Sequence, residues 1–462
     1  MKKNLLFTLI LLPVLIFCSS FYSSSDGWER VDTILQQIQP PQFPDREFYL
    51  TDFGAVGDGK SDCSAAFRLA IDSCHSVGGG RVVVPDGSFL TGPVHLKSNV
   101  NLHIEENATI LFSRDIEKYL PLVFTRFEGV ELMNYSPFVY AFEQENIAIT
   151  GTGLLDGQAD TTVWWPWKGR PEHGWKPGMP DESRDRKALF EMAKNKVPVK
   201  ERRFGPGHYL RVNFIQLYRC KNILIDGITI KRSPMWEIHP VLCENVTVQN
   251  VRLLSHGPNN DGCNPESCRL VLIRNCYFDT GDDCIAIKSG RNHDGRRVAV
   301  ASEDIVIQNC SMRDGHGGVV IGSEISGDCR NVFAEDCVMD SPNLERALRI
   351  KTNSLRGGVV ENIYMRNIDV GEVGDAVIRI NFHYERGDAG NFTPRVRNVY
   401  INNLSSRKSR YAFYLDGYER SPVSNIRIKD CTFEGVENKN VLNHVEKLTF
   451  RNVMINGREI RR

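Results

Sequence analysis

The chain is 462 residues long, enough for one large domain and at most about three. With 41% apolar and 25% charged residues it has the make-up of an ordinary globular protein. Its 57 basic and 57 acidic residues cancel, which excludes a whole-molecule field that would draw nucleic acid or any other polyion; attraction for a charged ligand has to be local.

The chain opens with a charged segment, Met1 to Asn4, and an apolar run, Leu5 to Phe17, followed by Ser19 and Ser20. That order predicts a secretory signal over 1–20, and the run is too short to read as a membrane span. An exported protein, periplasmic or extracellular, is expected. A lipid anchor at Cys18 is the alternative, and Phe17 is a poor residue before a lipidated cysteine. Residues 21–45, rich in Ser and Pro, read as a leader segment or loose arm.

From Phe48 the pattern sharpens. Cys63 to Val77 has helical spacing, with Ala66, Leu69, Ala70 and Cys74 on one side, and Gly78-Gly79-Gly80 ends it. Short strands follow at Val82–Pro85, Val100–Ile104 and Thr109–Phe112. A repeat then sets in, a polar pair followed by alternating apolar residues: Lys221-Asn222-Ile223, Glu244-Asn245-Val246, Arg269-Leu270-Val271, Glu303-Asp304-Ile305. It continues at Asn331, Asn362, Asn398 and Asn425, with spacings from Asn222 of 23, 25, 34, 27, 31, 36 and 27 residues, and an earlier copy at Asn146. Fixed phase with variable loops marks a solenoid. Helical spacing is nearly absent from the units, so the prediction is an all-β, single-domain, right-handed parallel β-helix over 46–462. The Cys63–Val77 helix caps its open N-terminal end, where strand edges are unpaired.

Residues 158–211 break the period and form an insertion loop near the cleft, with Trp164, Trp165, Trp167 and Trp175 among many Lys and Arg. The tryptophans either pack a small loop core or stack on a ligand. Thirteen cysteines in an exported chain raise the question of disulfides. Cys276, Cys310, Cys337 and Cys431 each follow Asn or Asp at one phase of the repeat, which fits stacked, reduced, buried thiols. Cys63/Cys74 and Cys263/Cys268 are candidate bridges.

The chemistry concentrates in 255–290. Asp261 lies in Asn259-Asn260-Asp261-Gly262, and Asp282 and Asp283 lie in Gly281-Asp282-Asp283-Cys284. Gly315-His316-Gly317 and Arg349-Ile350-Lys351 follow at similar phases of the next coils. Each has a bland reading: Asp261 as turn chemistry, Asp282-Asp283 likewise, His316 exposed at a corner, Arg349 and Lys351 on one face of a solvated strand. The shared register across four coils favours a site. Crowded carboxylates cannot all ionise easily, so one acts as an acid while another stays a base, as glycoside hydrolysis requires. Arg349 and Lys351 add a subsite for a carboxylate-bearing sugar.

These four motifs in this order on a β-helix resemble the polygalacturonases of glycoside hydrolase family 28, from about Phe48 to Asn456. The resemblance implies hydrolysis of α-1,4-galacturonosidic bonds of pectin by inverting acid/base catalysis, without a cofactor or metal, by a protein acting as a monomer. It implies Asp282 as general acid, Asp261 and Asp283 on the attacking water, and His316 beside them. Arg349, Lys351, Tyr384 and Asn259 would bind substrate. Asn260 stands where the family commonly has Thr, a mild surface change. Segments 256–261 and 288–297 resemble the bacterial exo-acting branch, and the 158–211 insertion is placed to wall off one end of the cleft.

Two tensions remain in the sequence. Strand alternation turns Asp282 and Asp283 to opposite faces, unless Gly281 lets the backbone bend. Adjacent coils also bring the carboxylates nearer than the roughly 6.5–9.5 Å usual for inversion, a spacing that alone reads as retention. The rival readings are a hydrolase of rhamnogalacturonan or xylogalacturonan, a Ca²⁺-dependent pectate lyase on the same fold, and a non-enzymatic glycan-binding β-helix.

Overall fold

The computed structural model describes residues 27–461. The expected signal segment, Cys18 and residues 21–26 of the leader lie outside the described residues. No helix among the described residues is long and apolar enough to cross a membrane.

The chain winds into a right-handed parallel β-helix. One wall stacks Lys221–Asp226, Glu244–Gln249, Arg269–Arg274 and Ser302–Gln308, in register through Val246, Val271 and Ile305. A second stacks Thr229–Lys231, Arg252–Ser255 and Tyr277–Thr280. In later coils the two merge into long strands such as Val359–Glu372 and Arg395–Lys408. The third wall carries Ile285–Ile287, Val319–Gly322, Arg346–Lys351, Ala376–Asn381 and Tyr411–Asp416, again parallel and in register. The inward residues, Val246, Ile285, Leu348 and Ile350 among them, form one continuous core.

The repeat's polar residue has a specific job at the wall edge. Asn146, Asn222, Asn245, Asn331, Asn362, Asn398 and Asn425 all have left-handed backbone, which asparagine tolerates better than most residues. Their side chains form ladders along the axis, for example Asn362 Nδ2 to Asn331 Oδ1 at 3.1 Å and Asn398 Nδ2 to Asn362 Oδ1 at 2.9 Å. A second set of rungs pairs Asn275 with Asn250 and Asn403 with Asn367, and Cys276, Cys310, Cys337 and Cys431, each after an Asn or Asp at that phase, point inward.

Leu270 interrupts the first ladder, and its surroundings correct the expectation of a loose leader. Helix α1 (Glu29–Gln37) lies across this outer face and buries Trp28, Val31, Ile34 and Ile38 against Leu270, Leu272, Val306 and Phe333. Gln39 N and O bond the Asn245 side chain at 3.2 and 2.7 Å, and Arg30 pairs with Asp304 at 3.0 Å. From residue 27 the leader therefore belongs to the folded body.

Helix α2 (Ser64–Ser76) closes the N-terminal end with Ala66, Phe67, Ala70, Ile71 and Cys74 inward, while Leu69 is exposed. At the other end Arg458–Ile460 folds back antiparallel on Val445–Ile455 and covers the last edge. All twelve cysteines among the described residues are buried and free, so neither candidate bridge exists. Cys63 and Cys74 stand at opposite ends of α2, about 16 Å apart at 1.5 Å per residue. Cys263 pairs within the third wall, and Cys268 begins the first wall beyond the turn at Ser267.

Candidate active site

The register brings the four motifs together. Cys263 pairs with Ile285, Ile285 with Val319, and Val319 with Leu348. Asp261, Asp282-Asp283, His316 and Arg349/Lys351 thus leave four successive coils, about 4.8 Å apart. All eight residues expected at the site line one cleft of about 910 Å³: Asn259, Asp261, Asp282, Asp283, His316, Arg349, Lys351 and Tyr384.

Asp282 and Asp283 share this cleft because residues 281–283 form a bend, not a strand; regular pairing begins at Ile285. The Asp282 carboxylate accepts the Asp283 N–H at 2.9 Å, which holds the bend. Gly281 does not supply left-handed backbone. A Cβ there would lie 2.6 Å from Gly257 O, so the glycine permits the neighbouring coil's close approach. Asn260 is a buried strut, not a surface residue: its Nδ2 donates to Ser233 O and Met235 O at 3.2 and 3.0 Å, and its Oδ1 accepts from Gly257 N at 2.8 Å.

Each carboxylate has its own partners. Asp282 takes His316 Nδ1 at 2.9 Å and Asn259 Nδ2 at 3.3 Å. Asp283 is gripped by Arg349 at 3.2 Å and Lys351 at 2.6 Å. Asp261 meets Asn264 Nδ2 at 3.0 Å and Lys288 Nζ at 3.3 Å. Side-chain exposure is 15% for Asp282, 4% for Asp261 and 1% for Asp283, so Asp282 is the one most open to a bound chain. Arg349 and Lys351 leave one face of the strand Arg346–Lys351, and both lie near the Tyr384 ring, at 5.6 and 5.4 Å.

The proton distribution follows from these contacts. Burial raises the Asp261 carboxyl to about 8; repulsion from Asp282 and Asp283 adds to it, against the pull of Lys288. Lys288 also serves Glu324 at 3.4 Å, so its charge is shared. Burial acts on Asp282 in the same direction but is outweighed. The His316 hydrogen bond and the charges of His316, Lys351 and Arg349 hold Asp282 well below the usual carboxylate range. The same hydrogen bond raises His316 to about 9, against the effect of burial. In the free cleft near neutrality the protons therefore sit on Asp261 and His316, and Asp282 is ionised.

Three segments close one end of the cleft. An antiparallel hairpin, Val123–Phe127 with Val130–Asn134, brings Glu128. The insertion brings Lys168, Arg186 and Phe190, and the loop after Asn381 brings Tyr384 and Glu385. Ion pairs lock them together: Arg186 to Glu128 at 2.7 Å, and Arg291 to Glu128, Glu324 and Glu385 at 3.2, 3.0 and 3.4 Å. Within the insertion, helix α3 (Ser183–Lys194) packs Leu189 and Ala193 into an apolar cluster with Phe127, Leu132, Phe204 and Trp236.

Three of the insertion's four tryptophans, Trp164, Trp165 and Trp167, pack with the main core, and Trp175 does not. Trp164 is fully buried against Tyr119, Phe138 and Trp167, and Trp165 donates to Ser233 O at 2.8 Å. Trp175 donates to Met179 O at 2.9 Å, and none of the four lines the cleft. The aromatic that does is Trp236, with Lys288 Nζ 4.4 Å from its ring centre. Sequence reasoning missed it. Its signal was its position, directly before a third-wall strand and one coil ahead of Asp261, whose carbonyl accepts the Glu237 N–H at 2.8 Å. Lys288 and Arg291 were noted only as a motif, and Glu128 and Glu324 carry no motif at all.

Fold and cleft together define a carbohydrate-active hydrolase on a parallel β-helix. Residues 207–451 match the family described as glycosyl hydrolases family 28, and the chain belongs to it. It is 29% identical over 399 residues to a probable polygalacturonase of Vitis vinifera, covering 83% of this chain and 73% of that protein. It is 26% identical to the exo-poly-alpha-D-galacturonosidase of Dickeya chrysanthemi, covering 72% of this chain and 57% of that protein. Among solved structures it matches an exopolygalacturonase from Thermotoga maritima at 50% identity and TM-score 0.92, covering 94% of this chain and 97% of that one.

Proposed function

We propose that this protein is an exo-acting polygalacturonase, releasing galacturonate units from the end of de-esterified pectin. The observation that carries this reading is the cleft itself. Asp282, Asp283 and Asp261 face one space beside the cationic pair Arg349/Lys351, and one end is walled by Glu128, Arg186 and Glu385. A closed end suits a chain terminus and disfavours binding across an interior stretch. The half-identical exopolygalacturonase supports the same reading. Export to the periplasm or medium is part of the proposal, motivated by Met1 to Phe17 and by a polymeric substrate.

In the proposed mechanism a galacturonate carboxylate binds Arg349 and Lys351. Their charges help to keep Asp282 ionised in the free cleft. An incoming carboxylate offsets those charges and raises the proton affinity of Asp282. The His316 proton, 2.9 Å away, can then pass to Asp282 and on to the leaving glycosidic oxygen. Asp283 and Asp261 orient a water on the other side of the sugar. Asp283 accepts its proton as the water oxygen bonds to the anomeric carbon, so one proton is delivered and one collected. Attack opposite the leaving group inverts the anomeric configuration.

Chromatography of the earliest products from polygalacturonate tests the cleavage mode. Monomer or dimer alone is expected, and a ladder of oligomers rules out exo action. Unsaturated, ultraviolet-absorbing products would instead assign a lyase.

A further inference from the structure

Beyond Arg349 and Lys351, toward the C-terminal coils, the cleft opens into a groove of about 700 Å³; His256, Gly281 and His316 line both spaces. Its wall carries Arg346, Arg379 and Arg410. The register sets their order. Arg349 pairs with Arg379 on the next coil, and Arg379 with Tyr414 on the one after. Arg410 precedes Tyr411, whose register partner is Ala376 and, one coil further back, Arg346. Cationic side chains thus step away from the catalytic carboxylates at Arg349, Arg379 and Arg410, one coil or about 4.8 Å at a time.

Two of these arginines are held by carboxylates and, among the described residues, the third is not. Asp375 accepts from Arg346 at 2.8 Å and from Arg379 at 2.5 Å, and Glu345 pairs with Arg346. The Arg379 guanidinium also lies 4.0 Å from the Tyr414 ring centre, so it is held from two sides. Arg410 is exposed and approaches only the Tyr411 ring, at 5.9 Å, with no carboxylate paired to it among the described residues. Three carboxylates, Asp314, Glu345 and Asp375, line the groove with the three arginines, and among the described residues Arg410 is the guanidinium that none of them pairs, so its charge is open to the groove. Arg379 is fixed in place, so little ordering is needed when an anion arrives. A planar guanidinium suits a carboxylate.

We propose that Arg379 and Arg410 form a second carboxylate subsite, holding a galacturonate unit beyond the one at Arg349 and Lys351, toward the open end of the cleft. The inference rests on the polygalacturonase reading and extends it. The enzyme grips its polymer by successive uronate charges on successive coils, and it favours longer, unesterified chains.

Calorimetric binding of digalacturonate and tetragalacturonate tests the subsite on the Asp282→Asn background, where no cleavage confuses the result. Adding Arg410→Gln is expected to weaken the tetramer about 10-fold, the scale of one charge-assisted hydrogen bond, and the dimer hardly at all. Arg410→Lys should keep most of the affinity, because the charge remains. Arg379→Gln should act in the same direction, with its melting curve checking that the Tyr414 contact is not needed for folding. Equal weakening of both oligomers, or no weakening of either, overturns the subsite. Failure to bind either oligomer before Arg410 or Arg379 is changed, or a ladder of products from the unmodified enzyme, strikes instead at the reading on which it rests.

Discussion

Asp261 and Asp282, on adjacent coils, hold their protons differently because their neighbours differ. Asp282 faces the cleft between His316 and Asn259. Asp282→Asn keeps the shape of the side chain and an acceptor for His316, but sets an amide donor against Asn259 Nδ2 and cannot deliver a proton to the leaving oxygen. A loss of about 100- to 10,000-fold in turnover is expected with the fold retained, as circular dichroism checks; near-normal turnover would remove Asp282 from the proposed chemistry. Asp261 makes a prediction about stability. Its carboxyl is raised to about 8 in the folded chain, against about 3.9 in an unfolded one. The folded state thus binds the proton more tightly, and stability falls as pH rises through that window. Asp261→Asn removes this slope. Relative to the unmodified protein it should melt higher at pH about 9 than at pH about 4, given the buried carboxylate's cost. Melting curves at both pH values check this, and an equal difference at both contradicts the assignment of the proton.

At the scale of elements, the asparagine ladders explain why loops of very different length leave the coil geometry unchanged. Each rung fixes one left-handed residue and bonds the coil beneath it. Asn362→Ala loses the bonds to Asn331 and from Asn398 and also forces alanine into a φ of 59°. A cost of about 2–4 kcal/mol is expected, from two hydrogen bonds and the left-handed backbone. Asn362→Gly loses the same bonds without the backbone penalty, so it should be about 1 kcal/mol less damaging. Equal unfolding midpoints for the two variants would show that the left-handed turn contributes nothing. Leu270 is the instructive exception on the first ladder. It has the same left-handed backbone without a side chain able to make a rung, and α1 covers it with Val31 and Ile34. Apolar burial there replaces the polar ladder. The outward Leu272, Val306 and Phe333 make sense only with that helix in place.

For the molecule as a whole, equal numbers of acids and bases conceal an uneven distribution. The polymer's charge meets Arg349, Lys351, Arg379 and Arg410 along one groove, with no long-range field to guide it. Exposed charges more than about 8 Å apart are largely screened at physiological salt. Raising sodium chloride from about 0.05 to about 0.5 M should therefore raise KM for polygalacturonate several-fold with little change in kcat. A KM indifferent to salt would mean that these cations do not hold the substrate in the rate-determining complex. The closed end depends on tertiary packing over long distances: an apolar cluster joins hairpin 123–134 to the insertion around α3, and Arg186 and Arg291 tie both to Glu324 and Glu385 through ion pairs.

The sequence by itself determined the coil and the column of functional groups. A repeat of fixed phase puts residues at similar offsets on neighbouring coils: Asp261 and Asp283 are adjacent through the Cys263–Ile285 pairing, and His316 and Lys351 follow one and two coils further on. Motif order then pointed to the chemistry. Only the tertiary structure decided how Asp282 and Asp283 share one cleft. That turns on a bend at 281–283 and on a side-chain-to-backbone bond that strand alternation does not contain. Tertiary packing also decided that Trp164, Trp165 and Trp167 pack with the core, that Trp236 faces the substrate space, that α1 is a cover and not an arm, and that Cys63/Cys74 and Cys263/Cys268 are not bridged. Except at the Asp282–Asp283 bend, the deciding contacts join residues far apart in sequence. Local pattern carries no record of such contacts, and burial of apolar surface or the pairing of buried charge selects them.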